Sequence, residues 1–391
     1  MRKFHSYGPV NPKKHFYVPR IELVDICVQS LIGDPDESGH YFTIWAPRQT
    51  GKTWLVEEST NTIRQKFNNK FYIASLSMQG FVDDGRHDIF EKFLNYWPRL
   101  IEDEFNIKTE KIDTWERWLD LFTKQRGIFD KPLIVLIDEF DKLPQKLINL
   151  IVSLFREMYL KRSNYQLHGL ALVGVRSVLG VDNDRGSPFN VQRSLHISNL
   201  SFDEVQSMFD QYQEESNQHI VSDIVKKLYE KTQGQPGLVG WFGELLTEKF
   251  NNEPDKPIDM KLWDRVYLKA CEIEHNNTVR NIITKASEEY ISDVIKLFTD
   301  SNVHFSFDYD WCNYMYMHGI ITYAEDEDGS CHICRFSSPF IQTRLYNAFT
   351  PCLLIFLIKS SNKVFFSFKR ILMACSKLFS LKLCSSSSSM I

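Results

Sequence analysis

The sequence of 391 residues contains little glycine and proline, and it contains no apolar run long enough to span a bilayer. With 17 glycines and 14 prolines, it does not have the composition of a fibrous or low-complexity chain. A transmembrane helix needs about 18–20 apolar residues, whereas the longest apolar run near the C-terminus covers only Cys352 to Ile358. Residues 1–20 are polar and basic, without the apolar segment of a signal peptide. The sequence therefore predicts neither a transmembrane segment nor a secretory signal.

Acidic residues are missing from the C-terminal part of the chain. All 50 Asp and Glu residues lie at or before Asp328, whereas the segment 350–391 carries six Lys or Arg residues. Without those six cations the formal net charge changes from −4 to −10, so bulk charge does not favour nucleic-acid binding. Three interpretations of the atypical tail at 350–391 stay open: a segment that lies on an anionic membrane surface, a peptide that docks on a partner, or an out-of-frame end.

The eight cysteines are scattered rather than arranged as a disulfide framework, which favours a reducing, cytoplasmic location. Cys331 and Cys334 have the spacing of half a zinc site. A zinc site usually needs four ligands, and the sequence has no second pair nearby. We expect these two cysteines to lie in a short strand instead.

The first 200 residues alternate between strand and helix patterns, which is typical of an α/β fold with a parallel sheet. Short apolar runs predict five strands, at 41–46, 71–76, 132–137, 167–175 and 195–197. Helices are predicted at 21–31, 54–67, 87–104, 114–126 and 145–162. The run 132–137 is apolar throughout, as expected of a strand that is covered on both faces.

The pattern becomes helical after residue 200. Ser201 and Glu204 have the spacing of a capping box that begins a helix. Further helices are followed by a hairpin around an acidic turn, and this order resembles a winged helix. The predicted organisation is therefore an α/β core (1–200), a helical lid (201–257), a winged-helix-like domain (258–349) and the atypical tail (350–391).

A phosphate-binding pattern follows the first predicted strand. It reads Ala46-Pro47-Arg48-Gln49-Thr50-Gly51-Lys52-Thr53 and fits Walker A, with Ala46 at the position usually held by the first glycine. In such a loop the backbone N–H groups and the start of the next helix surround the phosphates. We expect Lys52 to reach the β- and γ-phosphates and the Thr53 hydroxyl to bind Mg²⁺.

The predicted strand 132–137 ends at Asp138 and Glu139, which is a Walker B pattern. We expect this strand to lie next to the strand of the phosphate loop and to carry Asp138 toward the Mg²⁺. Glu139 is then placed to polarise the attacking water as a general base. Asp141, in the same turn, is expected to face solvent or to cap a helix.

Five further residues are candidates with open alternatives. Arg176, at the end of the strand 167–175, either senses the γ-phosphate or is a surface arginine. Arg20 either lies near the adenine or has no role there, and Pro236 lies either in a turn that contacts the nucleotide or in a plain helix–helix turn. Arg156 and Arg162 are weaker candidates for an arginine finger from a neighbouring subunit.

At these residues the chain resembles the AAA-like P-loop ATPases of bacteria, close to the signal-transduction ATPases with numerous domains, within the AAA+ superfamily. The resemblance rests on the following segments: Tyr17 to Arg20, the Walker A loop, Ile137 to Asp141, Val173 to Arg176 and Thr232 to Gly237. It implies that ATP and Mg²⁺ bind between the α/β core and the helical lid and that hydrolysis switches the molecule between closed and open states. It also implies a sensor role for Arg176 and a lid contact for Pro236. No clear lid arginine of the second-sensor kind is seen.

Three functional hypotheses follow. The first is a slowly hydrolysing ATPase that acts as a nucleotide-dependent switch, with a protein partner or self-association. The second is a DNA-associated regulator or transposition-type partner, but the candidate recognition helix at 308–318 carries Asp308 and Asp310 and no Lys or Arg, which argues against phosphate contacts. The third is a scaffold that binds nucleotide without hydrolysing it, and the presence of Glu139 ranks it below the first.

Overall fold

The computed structural model describes residues 1–67, 69–85, 87–174, 194–326 and 328–360, and from residue 351 onward it describes only the backbone. The strands of its larger sheet are β1 (Tyr41–Trp45), β2 (Tyr72–Ser77), β3 (Leu133–Asp138), β4 (Leu167–Gly174) and β5 (Ser194–His196). The first five helices are α1 (Ile21–Ile32), α2 (Lys52–Phe67), α3 (Ile89–Phe105), α4 (Trp115–Asp120) and α5 (Gln145–Leu160). The α/β class predicted from the sequence is confirmed.

The larger sheet is parallel, and its strand order is β2-β3-β4-β1-β5. β4 is therefore inserted between β1 and β3, and the expectation that β3 lies next to β1 was wrong. Sequence order does not give strand order, because the pairing of β4 depends on contacts between distant parts of the chain. Since all five strands are parallel, their carboxyl ends still meet at one edge, where ligands of α/β proteins bind.

The sheet is covered on both faces because side chains alternate along each strand. Leu133, Val135 and Ile137 of β3 pack into a core with α3, α4 and α5. Ile134 and Leu136 pack into the opposite core, with α1 and α2. These two cores explain why β3 is apolar throughout.

One predicted helix differs in length. The pattern at 114–126 predicted a continuous helix, but α4 ends at Asp120. The chain then turns, and Thr123 forms an isolated bridge with Tyr165. This pairing with a distant residue replaces the last predicted turns of the helix.

The second half of the chain is mainly helical. Its helices are α6 (Phe202–Ser216), α7 (Ser222–Thr232), α8 (Pro236–Glu244), α9 (Met260–Glu272), α10 (Asn277–Ala286), α11 (Ile291–Lys296), α12 (Asp310–Met317) and α13 (Pro339–Ser360). An antiparallel hairpin of β6 (Ile321–Glu325) and β7 (His332–Phe336) precedes α13. The predicted capping box is present at the start of α6, where Ser201 and Glu204 satisfy each other's backbone N–H groups.

The lid helices and the C-terminal helices share one apolar core. It extends from Leu200 to Phe349 and also takes in Phe4 and Phe16 from the N-terminal segment. The basic leader seen in the sequence is thus packed on the lid, since Phe4 lies against Phe209 of α6 with ring centroids 4.7 Å apart. The winged-helix-like character of 258–349 stays a prediction. Within the described residues, no helix combines the length and apolarity needed to cross a membrane.

Candidate functional site

The Walker A loop joins β1 to α2 at the carboxyl edge of the sheet. Gln49 and Gly51 both have positive φ angles, of 58° and 94°. Alternation of left-handed and right-handed residues turns successive N–H groups toward one side, which forms an anion-binding nest. The left-handed conformation costs a residue with a Cβ atom about 1–2 kcal/mol, so Gln49 must be held in place by its contacts. The Thr50 hydroxyl also braces the loop by donating to the Pro47 carbonyl at 2.8 Å.

Lys52 is the first residue of α2 and reaches back over the loop. Its ammonium donates hydrogen bonds to the carbonyl oxygens of Ala46 and Pro47, at 2.8 and 2.7 Å. Burial lowers the pKa of Lys52 to about 8, against the opposing attraction of Asp138, Asp141 and Glu139. The Lys52 ammonium, with its pKa lowered to about 8, therefore lies near the carboxylates of Asp138, Asp141 and Glu139.

Thr53 and Asp138 meet across the width of β4. The Thr53 hydroxyl donates to the Asp138 carboxylate with a distance of 2.9 Å between Oγ1 and Oδ2. The other carboxylate oxygen of Asp138 accepts the Glu139 backbone N–H at 2.8 Å. Burial raises the pKa of Asp138, although both hydrogen bonds oppose that shift. Hydroxyl and carboxylate oxygens are the protein ligands that Mg²⁺ accepts, so this donor set fits a nucleotide-bound magnesium ion.

Glu139 lies next to this pair in a left-handed conformation, with φ of 56°. Non-glycine residues in this conformation cluster at functional sites. Its carboxylate forms an ion pair with Lys142 at 3.0 Å, and 42% of its side chain is exposed. The carboxylate is thus accessible to solvent water, with its charge partly balanced by Lys142.

Asp141 follows Glu139 in the same turn, and its carboxylate lies near both Lys52 and the end of β4. Its side chain is half-buried, and the expectation that it faces solvent or caps a helix stays a prediction. A Cβ atom added to Gly174 would be 2.7 Å from Asp141 Oδ1, so a larger residue at that position would require the Asp141 side chain to move. Asp141 lies in the short 3₁₀ helix at Phe140–Lys142, directly after the end of β3.

The lid contacts the Walker A loop directly through the start of α8. Pro236 is the first residue of this helix, a position that suits proline. The next residue, Gly237, donates its backbone N–H to the Gln49 carbonyl at 3.0 Å. The Gln235 side chain donates to the Arg48 carbonyl at 3.1 Å. Gln235 and Gly237 were not among the predicted site residues, although they flank one that was.

The remaining predicted candidates occupy different places. Arg20 lies at the start of α1, donates to the backbone and the hydroxyl of Ser198 at 2.9 Å each, and pairs with Glu204 at 3.2 Å. Arg176 lies outside the described residues. Arg156 lies on α5, and Arg162, just after that helix, donates to Ser38 of the same chain at 3.0 Å.

The two cysteines with zinc-like spacing point to different partners. Cys331 contacts the Asp326 carboxylate, whereas Cys334 lies in β7 with its sulfur 3.8 Å from that of Cys312. No cluster of three metal-ligating side chains was found within the described parts of the chain. The five cysteines in those parts are free thiols.

Comparison with known proteins agrees with the fold. Similar solved structures include the Walker-type ATPase PABY2304 of Pyrococcus abyssi, at 14% identity and a TM-score of 0.52, with 88% of this chain and 99% of that chain covered. They also include Drosophila ORC bound to DNA (14%, TM-score 0.47, 86% and 88% covered) and the Thermotoga maritima RuvB Holliday junction branch migration motor (13%, 0.41, 81% and 92% covered). At such identities the likeness concerns the fold alone. Among curated proteins, none matches the chain.

The family comparison covers more than half of the chain. The model of the AAA-like domain matches residues 5–251, which include the Walker A loop, the Walker B strand and most of the lid. This range also includes Phe16 of the N-terminal segment that packs on the lid, whereas Phe4 lies just before it. The chain belongs to the AAA-like domain family, with the α/β fold of the P-loop ATPases.

Proposed function

We propose that the protein binds ATP with Mg²⁺ and hydrolyses it slowly, as a nucleotide-dependent conformational switch. The observation that carries this proposal is the hydrogen bond between Thr53 and Asp138, 2.9 Å long, beside Lys52. It brings together a hydroxyl, a carboxylate and an ammonium from two motifs that are 85 residues apart. These are the groups that a magnesium–triphosphate complex requires.

The Walker A loop, from Ala46 to Thr53, would hold the phosphates. Lys52 would exchange its hydrogen bonds to Ala46 and Pro47 for phosphate oxygens. The N–H groups of the nest and the first turn of α2 add dipoles that favour negative charge. Arg20 and Pro236 are proposed to contribute at the periphery of the nucleotide, Pro236 by starting the helix that contacts the loop.

Thr53 and Asp138 would hold the magnesium ion, Thr53 as a direct ligand and Asp138 within its shell. When bound, the ion neutralises charge on the β- and γ-phosphate oxygens. The raised pKa of Asp138 reflects its burial and, to a smaller extent, the nearby Glu139 carboxylate. A cation at this position would relieve that burial cost and favour the ionised form.

Glu139 is proposed as the general base. To act it must release Lys142, now 3.0 Å away, and accept a proton from the attacking water. That competing ion pair supports slow rather than fast turnover. Arg176, which follows β4 in the sequence, is proposed to sense the γ-phosphate.

The switch would work through the lid, because Gly237 and Gln235 of the lid bind the backbone of the Walker A loop. A shift of the loop on hydrolysis would thus move α8. This movement of α8 is proposed to change the binding of a protein partner, or self-association, in the cytoplasm. Phe307, Tyr309 and Tyr323 expose large aromatic surfaces that suit protein contacts, whereas exposed Asp308 and Asp310 disfavour the alternative of DNA binding.

One experiment tests the proposal directly. ATP turnover and molecular size would be measured together, in ATP and in ADP. The proposal expects slow hydrolysis and a hydrodynamic size that differs between the two nucleotides. Absence of both hydrolysis and any difference in size would overturn the whole proposal, whereas hydrolysis without any difference in size would overturn the switch alone.

A further inference from the structure

The Walker A loop is held from outside by the C-terminal helices as well as by the lid. A Gly319 Cβ would approach the Pro47 ring to 2.9 Å, so the turn after α12 sits directly on the loop. The Trp45 ring, at the end of β1, lies 5.8 Å from that of Tyr316 in α12. Only a narrow crevice of about 50 Å³ separates the outside of the loop from these helices.

The most specific of these contacts joins Gln49 to Thr278 of α10. The Thr278 hydroxyl donates a hydrogen bond to the side-chain oxygen of Gln49, although the two residues are 229 positions apart. Thr278 is buried, and its backbone is fixed because Asn276 caps the helix by accepting the Val279 N–H at 3.0 Å. The hydroxyl is therefore a rigidly placed donor.

Gln49 is also the residue whose conformation the loop depends on. Its positive φ contributes to the nest, and its carbonyl accepts the Gly237 N–H. A Cβ atom on Gly237 would be 2.6 Å from the Gln49 side-chain oxygen, so that side chain has little room to move. The lid holds the backbone of Gln49, and α10 holds its side chain.

We propose that Thr278 is a positioning residue for nucleotide binding, which acts through Gln49 to keep the Walker A loop in its phosphate-binding conformation. This inference rests on the proposed binding of ATP. It means that α10, which follows the lid in the sequence, contributes to ATP binding. Without the Thr278 hydroxyl, Gln49 loses the donor that opposes its relaxation to a right-handed conformation.

The test uses Thr278→Val, which keeps the side-chain shape and removes the hydroxyl. ATP affinity with Mg²⁺ should fall roughly five- to tenfold, the effect of one hydrogen bond. In turnover assays KM for ATP should rise by the same factor while kcat stays within twofold, because Glu139 is untouched. Thr278→Ser, which keeps the hydroxyl, should restore the wild-type affinity. Thr284→Val is the matched control on the same helix, since the exposed Thr284 hydroxyl donates to the Arg280 carbonyl of its own helix.

A second measurement does not depend on nucleotide. In the absence of ATP, the backbone amides of residues 47–53 should exchange hydrogen faster in Thr278→Val than in wild type. A double-mutant cycle with Gln49→Ala completes the test, because the double variant should bind ATP no more weakly than Gln49→Ala alone. The inference is overturned if Thr278→Val binds ATP as tightly as wild type. It is also overturned if the losses of ATP affinity from the two single substitutions multiply in the double variant. Failure of wild type to bind ATP would instead overturn the proposed function, and the exchange rates would still report on the loop.

Discussion

The Thr53 hydroxyl donates to the Asp138 carboxylate at 2.9 Å, even though β4 separates the strands that carry the two motifs. The contact is possible because α2 begins beneath the loop and directs Thr53 across the end of β4 toward β3. It brings the two sequence motifs together at the proposed magnesium site.

Replacement of Thr53 by valine should therefore weaken binding of the magnesium complex selectively. ATP affinity in Mg²⁺ should fall at least about tenfold, since a hydrogen-bonding group next to a charged partner is lost, whereas affinity in excess EDTA should change little. Titration calorimetry in both conditions measures the difference. Thr62→Val, on the same helix but remote from the loop, is the control. Equal losses with and without Mg²⁺ would argue against the metal role.

The lowered pKa of Lys52 predicts a pH dependence of binding. Lys52 is charged below its pKa of about 8 and loses the proton as the pH rises through that value, whereas an ordinary lysine would stay charged to about 10.5. The charged fraction of Lys52 at pH 9 is then about one-eleventh. The Kd for ATP should therefore be about tenfold larger at pH 9 than at pH 7. Fluorescence titration with a labelled ATP analogue from pH 6.5 to 9 checks this. A flat profile would contradict the lowered pKa.

Glu139→Gln should bind ATP with an affinity close to that of wild type and lose turnover. The amide keeps the shape of the side chain but cannot accept the water proton, and the loss of a general base costs roughly 100- to 10,000-fold. Single-turnover hydrolysis of bound ATP is the measurement. Glu253→Gln, which breaks a similarly spaced surface ion pair with Lys256, should leave turnover unchanged. Undiminished hydrolysis by Glu139→Gln would assign the base elsewhere.

Packing of the N-terminal segment on the lid predicts an effect on stability. Phe4 is 4% exposed, and the truncation Phe4→Ala should lower the free energy of unfolding by about 3–5 kcal/mol. Tyr7→Ala, at a side chain that is 63% exposed, should change it by less than about 0.5 kcal/mol. Urea unfolding followed by circular dichroism compares the two. Similar small effects would mean that the segment does not stabilise the lid.

Local spacing was sufficient to predict where the residues of both motifs lie in the fold. Lys52 and Thr53 follow a strand at a fixed offset, and Asp138 ends an apolar run, so both motifs are visible within a few residues. The strand ends and the start of α6 were predicted for the same reason.

What the sequence did not predict depends on contacts between distant residues. The insertion of β4 between β1 and β3 and the early end of α4 near Tyr165 are set by pairing across the fold. The hydrogen bond from Thr278 to Gln49 spans 229 residues. Neither residue has a local pattern that points to the other.

Binding of ATP by the Walker A loop is the central claim, and calorimetric titration of Mg²⁺–ATP into wild type and Lys52→Ala at pH 7 tests it most directly. The account predicts saturable binding to wild type and a loss of roughly 100-fold in affinity for Lys52→Ala, with Lys66→Ala, at the far end of the same helix, binding as wild type does. Equal affinity of Lys52→Ala and wild type would contradict the account.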